Sequence, residues 1–304
     1  MSNYHTSVFL KETLELLQIK KNGKYIDTTL GGGGHSFEIL RKNGKVLGID
    51  LDIDAIDYVK NKWKEKSLEW DINEENLILK QGNFKDLKEV AHLNKFEKVK
   101  GIIYDLGVSS HQIDSEERGF SYLKEGSLDM RMDRRIPIKA SGLINILKKG
   151  ELYEIFSRLG QEHHARVISN SIARTRRIKA IETTGDLMDV IRDARRIRSK
   201  NLSPFVKAAI AKKVFQALRI AVNNEFENLR NSLPQAVDLL EEKGRLAVIT
   251  FHSTEDGIVK HKFLEFKRQG LGEIITKKPL VPSKEEMEEN SRSKSAKLRV
   301  FEKI

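Results

Sequence analysis

The chain contains no cysteine. That excludes disulfides, thiolate zinc sites and cysteine-held iron–sulfur clusters. It also excludes a cysteine nucleophile, and with it attack on carbon 6 of a pyrimidine, the usual route to carbon-5 methylation. No apolar run approaches the ~20 residues of a membrane span. The N-terminal stretch MSNYHTSVFLKETLELL has no basic segment leading into an apolar one, so no secretory signal is expected. No membrane partner is expected and the cytoplasm is the default location. Repeats and low-complexity tracts are absent, and so is a metal-ligand pattern: neither His163-His164 nor the carboxylates make one.

What is present is a globular composition, 39% hydrophobic and 33% charged over 304 residues, enough for one large domain or two ordinary ones. The net charge of +11 is unevenly placed. Residues 131–220 hold 21 Lys+Arg against 8 Asp+Glu, and the remainder is slightly acidic. A surface that only needs solubility interleaves both signs. A surplus gathered in one block is the footprint expected for a polyanion.

The most informative short stretch is Tyr25–Asp50, YIDTTLGGGGHSFEILRKNGKVLGID. It reads as a strand over Lys24–Thr29, a turn of four glycines from Gly31 to Gly34, a helix over His35–Lys42, and an apolar strand over Lys45–Ile49 that stops on Asp50. Glycines let a backbone approach a ligand closely, and a helix N-terminus offers free N–H groups beside them. An acid at the end of the second strand is placed to accept hydrogen bonds from ribose hydroxyls. The spacing departs from the dinucleotide fingerprint, because the third glycine would fall on Ser36 or Phe37. Asp27, just before the glycines, would repel a pyrophosphate and suits a cationic ligand such as the amine and sulfonium of S-adenosylmethionine (SAM).

Further strands are expected over Leu77–Lys80, Val99–Tyr104 and Arg245–Phe251, with Ile274–Lys277 and Lys297–Glu302 as a closing antiparallel pair. Strands alternating with helical stretches imply a parallel, doubly wound sheet, with its chemistry outside the carboxyl ends of the strands. Phe84 and Asp105 both stand at such ends. Phe84 reads equally as an adenine neighbour or a core ring, and Asp105 is the carboxylate best placed for reaction chemistry. From Gln112 to about Val214 the pattern is helical, with segments over Ala140–Lys149, Glu151–Leu159, His163–Arg177, Thr184–Arg195 and Pro204–Val222. A further helix is expected over Glu225–Glu242, and the polar stretch Pro279–Ser295 reads as a mobile loop. The expected organisation is an α/β sheet domain formed by residues 1–114 and 214–304, with an inserted all-helical substrate (RNA) recognition domain over residues 115–213.

Several segments carry a family resemblance: His5-Thr6-Ser7-Val8; DTTLGGGGHS over Asp27–Ser36; DLGVSSHQIDSEERGFSYLKEGSLDMRMD over Asp105–Asp133; VFQALRIAVNNE over Val214–Glu225; TFHSTEDGIVK over Thr250–Lys260; and the tail Ser295–Val300. Together they make the chain resemble, collinearly over its length, the bacterial 16S ribosomal RNA cytosine-N(4) methyltransferases. The resemblance implies a SAM-dependent methyltransferase with a Rossmann-like sheet. Its substrate would be a cytosine in the decoding centre of the small ribosomal subunit. Cofactor contacts carry over to Gly33, Gly34, His35, Asp50, Phe84, Asp105 and Gln112, beside Asp27 and Gly31 from the turn itself. This chain has His111 where the family has proline, Lys212-Lys213 for Thr-Arg, Asn290-Ser291-Arg292 for Asn-Pro-Arg, and Gly160-Gln161-Glu162 for Gly-Glu-Glu.

For transfer to the cytosine amine, Asp105 is the first catalytic candidate, with Ser109, Ser110 and His252 behind it. Arg131, Arg134, Arg135, Arg174, Arg176, Arg177, Arg195, Arg196, Arg198, Lys212 and Lys213 are the candidate RNA contacts. The alternatives left open are methylation of a ribose 2′-oxygen or a purine amine, a non-catalytic RNA-binding assembly factor, and a nicotinamide dehydrogenase. A second copy of the chain is kept as a candidate partner beside the ribosomal RNA.

Overall fold

The computed structural model describes residues 7–199 and 201–304. Val8, Leu10, Leu14 and Leu17 fall roughly on one face and predict a helix over His5–Gln18; its start, with the His5-Thr6 pair, lies outside the described residues, and the helix seen there runs over Leu10–Leu17. The chain forms two compact units, one of residues 1–109 with 226–304 and one of residues 110–225.

The first unit is built on seven strands: β1 (Lys24–Asp27), β2 (Lys45–Asp50), β3 (Leu77–Gln81), β4 (Val99–Asp105), β5 (Leu240–Thr250), β6 (Gly272–Ile274) and β7 (Lys297–Lys303). Their order is β3-β2-β1-β4-β5-β7-β6. The first five run parallel, and β7 enters antiparallel to both β5 and β6. This is a Rossmann-like, doubly wound sheet. The chain crosses from β3 back over the sheet to β4, so the strand order reverses beside β1, where ligands of such sheets bind. The central strands are apolar because both faces are covered. Tyr25, Val46, Ile103, Ala247, Ile249, Leu298 and Val300 share one core with residues of the helices Leu10–Leu17, Gly34–Arg41 and Ile53–Trp70.

Local signals explain most element ends. Asp52 caps the helix Ile53–Trp70, accepting from Asp54 N. The helix Glu225–Leu239 buries Phe226, Leu229, Leu233 and Val237 at helical spacing. It stops three residues before the expected Glu242, because Leu240 pairs with Val99 and opens β5; the register then slips before Gly101 meets Arg245. The closing strand Gly272–Ile274 lies earlier than the expected Ile274–Lys277. Beyond it, Ile275 N still reaches Val300 O, and Thr276 Oγ1 accepts from Val300 N. The stretch Pro279–Ser295, expected as a mobile loop, is ordered by local capping. It holds a helix over Lys284–Glu289 capped by Ser283 and a 3-10 turn over Ser291–Ser295 capped by Asn290. Ser293 is fully buried, and Glu286 accepts from Phe9 N at 2.7 Å.

The second unit is helical, with segments over Ser110–Asp114, Ala140–Ile146, Lys149–Glu154, Ala165–Thr175, Thr184–Ala194 and Pro204–Asn223, and a π turn over Ile155–Leu159. Thr183 and Asp186 form a capping box, and Ser203-Pro204 start the longest helix. Among the described residues its only ladder-type pairing is the isolated bridge Ser127–Thr183. The loop before the helices is knitted by its own charges. Buried Arg118 donates to the carbonyls of Arg131 and Met132. Asn223 accepts from Met132 N and donates to Met130 O. The DMRMD and VNNE segments are thus two halves of one buried polar joint. Among the described residues no helix is long and apolar enough to cross a membrane.

Candidate active site

The carboxyl ends of β1 to β4 converge on the glycine turn. Residues of the DTT segment each read a neighbour. Thr28 donates both its N–H and its hydroxyl to Ile103 O on β4. Thr29 Oγ1 accepts from Asp105 N at 2.6 Å. Asp27 is buried below the turn, accepting from Thr29 N and from Ser36 Oγ at 2.7 Å. The start of the turn is thereby clamped to β4, and Asp27 of β1 to the helix that follows the turn.

The glycines turn out to be required from inside the fold. Gly33 has φ 78°, and a side chain there would collide with Phe37 and Val59. A Cβ on Gly34 would collide with the Ser7 side chain. Gly31 also has positive φ, and its N–H donates to Asp50 Oδ2 at 2.8 Å. Asp50 Oδ1 accepts from Asp52 N at 2.9 Å, and Gly82 N donates to Asp50 O. The Asp50 carboxylate is therefore preorganised by two backbone donors while its residue stays partly exposed. Its pKa is pushed up to about 6, first by burial and then by the charges of Asp52 and Asp27, against the two N–H donors.

Asp105 ends β4 beside this turn. Its Oδ2 lies 3.8 Å from Nδ1 of His35, which is buried in the first turn of the helix Gly34–Arg41. Phe84, directly after β3 and partly exposed, sets its ring edge-on to buried Tyr104, with centroids 5.5 Å apart. Three carboxylates, Asp27, Asp50 and Asp105, thus stand at the ends of β1, β2 and β4 around one turn. That negative field repels phosphates and favours a nucleoside carrying positive charge. The donor set fits SAM: an acceptor pair for ribose, an apolar ring for a base, and anionic groups for the ammonium and sulfonium.

His252 is placed differently. It caps the helix Ser253–Arg268 through Nδ1, which accepts from Glu255 N, and its Nε2 lies 2.8 Å from Glu255 Oε1. Both ring nitrogens face the start of its own helix. Ser109 lies in the loop after β4, past Gly107 with φ 115°. Ser110 and Gln112 belong to the second unit, on the short helix Ser110–Asp114, and Gln112 is buried.

The basic candidates of the second unit separate sharply. Arg131 is bound by Asp129 at 2.7 and 2.9 Å and donates to the carbonyls of Arg134 and Ile136, a structural role within the loop. Arg135 is paired with Asp133, and Arg134 with Glu117. Arg176 donates to Ile144 O, Arg195 pairs with buried Glu162, and Lys213 reaches Gln161 O. Arg134 and Arg135 are exposed but paired; Arg174, Arg177, Arg196, Arg198 and Lys212 are exposed too. Burial and pairing decide this division. If the exposed arginines are the RNA contacts expected from the sequence, Arg174→Ala and Arg177→Ala each lower the slope of log affinity for RNA against log salt by about 0.7–0.9. Arg176→Ala costs stability instead; titrations at several salt concentrations, beside thermal melts, check both.

Thr29, Ser36 and Ser7, which shape the turn, stand inside segments that carry the resemblance, but the sequence alone assigns them no role of their own.

A family model described as the MraW methylase family matches residues 2–304. Among curated proteins, "Ribosomal RNA small subunit methyltransferase H" of Clostridium botulinum strain 657 is 44% identical over 318 residues, covering 99% of both chains. The protein of the same name from strain Loch Maree is 43% identical over the same span. Among solved structures, an rRNA methylase from Streptococcus thermophilus aligns over 98% of both chains at 11% identity and a TM-score of 0.45.

Proposed function

The chain belongs to the MraW methylase family, and from that premise we propose that it transfers a methyl group from SAM to the exocyclic N(4) amine of a cytosine in 16S ribosomal RNA. The cytosine lies in the decoding centre of the small subunit, and the reaction takes place in the cytoplasm. The observation that supports the SAM part of this reading is the set of three carboxylates, Asp27, Asp50 and Asp105, around the glycine turn, at the point where the strand order reverses; the cytosine acceptor follows from the family.

SAM supplies an electrophilic methyl group when bound. The residues of this chain bind, orient and handle protons. Asp50 accepts from the ribose hydroxyls, with Gly31 N and Asp52 N holding its carboxylate in place. Phe84 offers its ring to the adenine, and Asp27 and Asp105 supply negative charge. Gly33, Gly34 and His35 complete the cofactor contacts of the first unit. The cytosine amine is a weak nucleophile because its lone pair is delocalised into the ring. Asp105, accepting one amine N–H, favours the reactive geometry and receives the proton that leaves; positioning supplies much of the rate. Ser109, which follows in the same segment, is the second candidate for contact with the substrate base. Residues 115–213 act as the RNA-recognition part, with their exposed arginines on phosphates. A base within structured RNA is reached by flipping it from its stack.

Incubation with SAM and small-subunit particles, followed by mass spectrometry of the nucleosides, tests the reading. N(4)-methylcytidine is the expected product. A methyl on ribose or on a purine overturns it, as does binding of RNA and SAM without any S-adenosylhomocysteine. Asp105→Ala is expected to lower turnover at least 100-fold, on the scale of a lost acid–base group.

A further inference from the structure

Over residues 204–218 the longest helix of the second unit, Pro204–Asn223, is packed on one side only. Ile210, Ala211, Val214, Phe215, Ala217 and Leu218 are buried. On the other side stands Phe205, 83% exposed, in the first turn. A phenylalanine left so open gains nothing for the fold from its ring. Ala209 and Lys212, four and seven residues on, are exposed too. At this spacing the three share one face of the helix, spanning roughly 10 Å along its axis. The sequence of the helix, PFVKAAIAKKVFQALRIAVN, has no acidic residue. Its first turn lacks the acids that usually meet the positive end of a helix dipole.

We propose that this face is a stacking platform for single-stranded RNA, on which Phe205 takes the face of an unpaired base. Ala209 leaves room for the strand, and Lys212 meets a phosphate. Aromatic rings beside cations on a surface without opposing charge are how proteins hold unstacked bases irrespective of sequence. Charge selects the occupant: Arg219 is paired with Glu225, but Lys207, Lys212 and Lys213 stand on a helix that carries no acid of its own, which suits a polyanion better than a second copy of this basic chain. The proposal rests on the RNA-methyltransferase reading and extends it, since it names a place on the second unit where an unpaired base of the RNA substrate is held.

The test uses the full chain, SAM, small-subunit particles and a single-stranded RNA decamer. Phe205→Ala weakens decamer binding about tenfold or more, with the salt slope unchanged because a neutral ring releases no counterions. Lys212→Ala does the reverse, lowering the slope by about 0.7 with a smaller loss at low salt. Phe205→Trp keeps the affinity, and its added emission is quenched by the decamer more than by a duplex. SAM affinity stays as in the parent for all three. Unchanged decamer affinity in Phe205→Ala, or unquenched emission in Phe205→Trp, overturns the platform while methylation by the parent chain leaves the enzyme reading standing. A drop in mass by light scattering for Phe205→Ala, with RNA affinity intact, assigns the face to self-association and also overturns it. If the parent chain neither binds nor methylates the RNA, both readings fall together.

Discussion

Replacing Asp50 by alanine weakens SAM binding about 100-fold while leaving RNA affinity near that of the parent. The estimate takes the ribose hydroxyls as donors to an ionised acceptor, each such hydrogen bond being worth about 1.5–3 kcal/mol. Part of the loss comes from the turn, because Gly31 N and Asp52 N lose their shared acceptor. Asp50→Asn retains one acceptor oxygen and loses the charge, so its affinity falls between the two. Calorimetric titration with SAM, beside RNA titrations of the same preparations, separates a cofactor role from a structural one: equal loss of both affinities sinks the assignment. The carboxyl also makes binding depend on pH. With its pKa raised to about 6, Asp50 is ionised at pH 7.5 and mostly protonated at pH 5. SAM affinity therefore falls as pH drops through about 6, by up to tenfold per unit. The fold responds in the opposite sense. A carboxyl whose folded pKa is raised adds stability below its unfolded value near 3.8, and that contribution is lost as pH rises through about 6. Asp50→Ala abolishes both dependences.

The second large effect is on stability. Asp256 is buried in the first turn of the helix Ser253–Arg268 and receives two strand β7 cations. Arg299 donates at 2.6 and 3.2 Å, and Lys297 lies at 3.0 Å. Asp256→Ala leaves a buried guanidinium without its counter-charge, a change that costs about 3–5 kcal/mol. Denaturant unfolding measures the loss, and a cost below about 1 kcal/mol would show that the pair contributes no more than a surface bridge. Burial alone would raise the pKa of Asp256, but the hydrogen bonds and charges of Arg299 and Lys297 outweigh it and hold the carboxyl below the usual range. Its stabilising share is thus present above the unfolded value and is lost as pH falls through the folded one. The deficit of the alanine variant shrinks correspondingly in acid, below about pH 4.

This ion pair also shows where sequence reasoning stops. The TFHSTED segment and the tail Lys297–Val300 both stand out as motifs, yet nothing in either says that they face each other. The same holds for DMRMD and VNNE, joined through Asn223 across some ninety residues. Such pairings depend on which strands become neighbours, and strand order is a property of the whole sheet. Charge behaves alike. Composition locates a basic block over residues 131–220, but Arg131, Arg176 and Arg195 are spent on carbonyls and buried carboxylates, while Arg174 and Arg177 face solvent. Whether a guanidinium is free is fixed by what folds beside it.

By itself the sequence determined the parallel strands, the glycine turn, the acid at the end of β2 and the helical block, because these rest on local periodicity, capping residues and backbone freedom, which act over a few residues. Only the tertiary structure decided that Asp27 clasps Ser36 beneath the turn, that Gly33 and Gly34 answer to Phe37, Val59 and Ser7, that His252 is turned toward Glu255, and that Phe205 stands open. Some of these contacts are short in sequence, as between His252 and Glu255, and others long, as between Gly34 and Ser7, but all depend on packing that exists only once the chain has closed on itself.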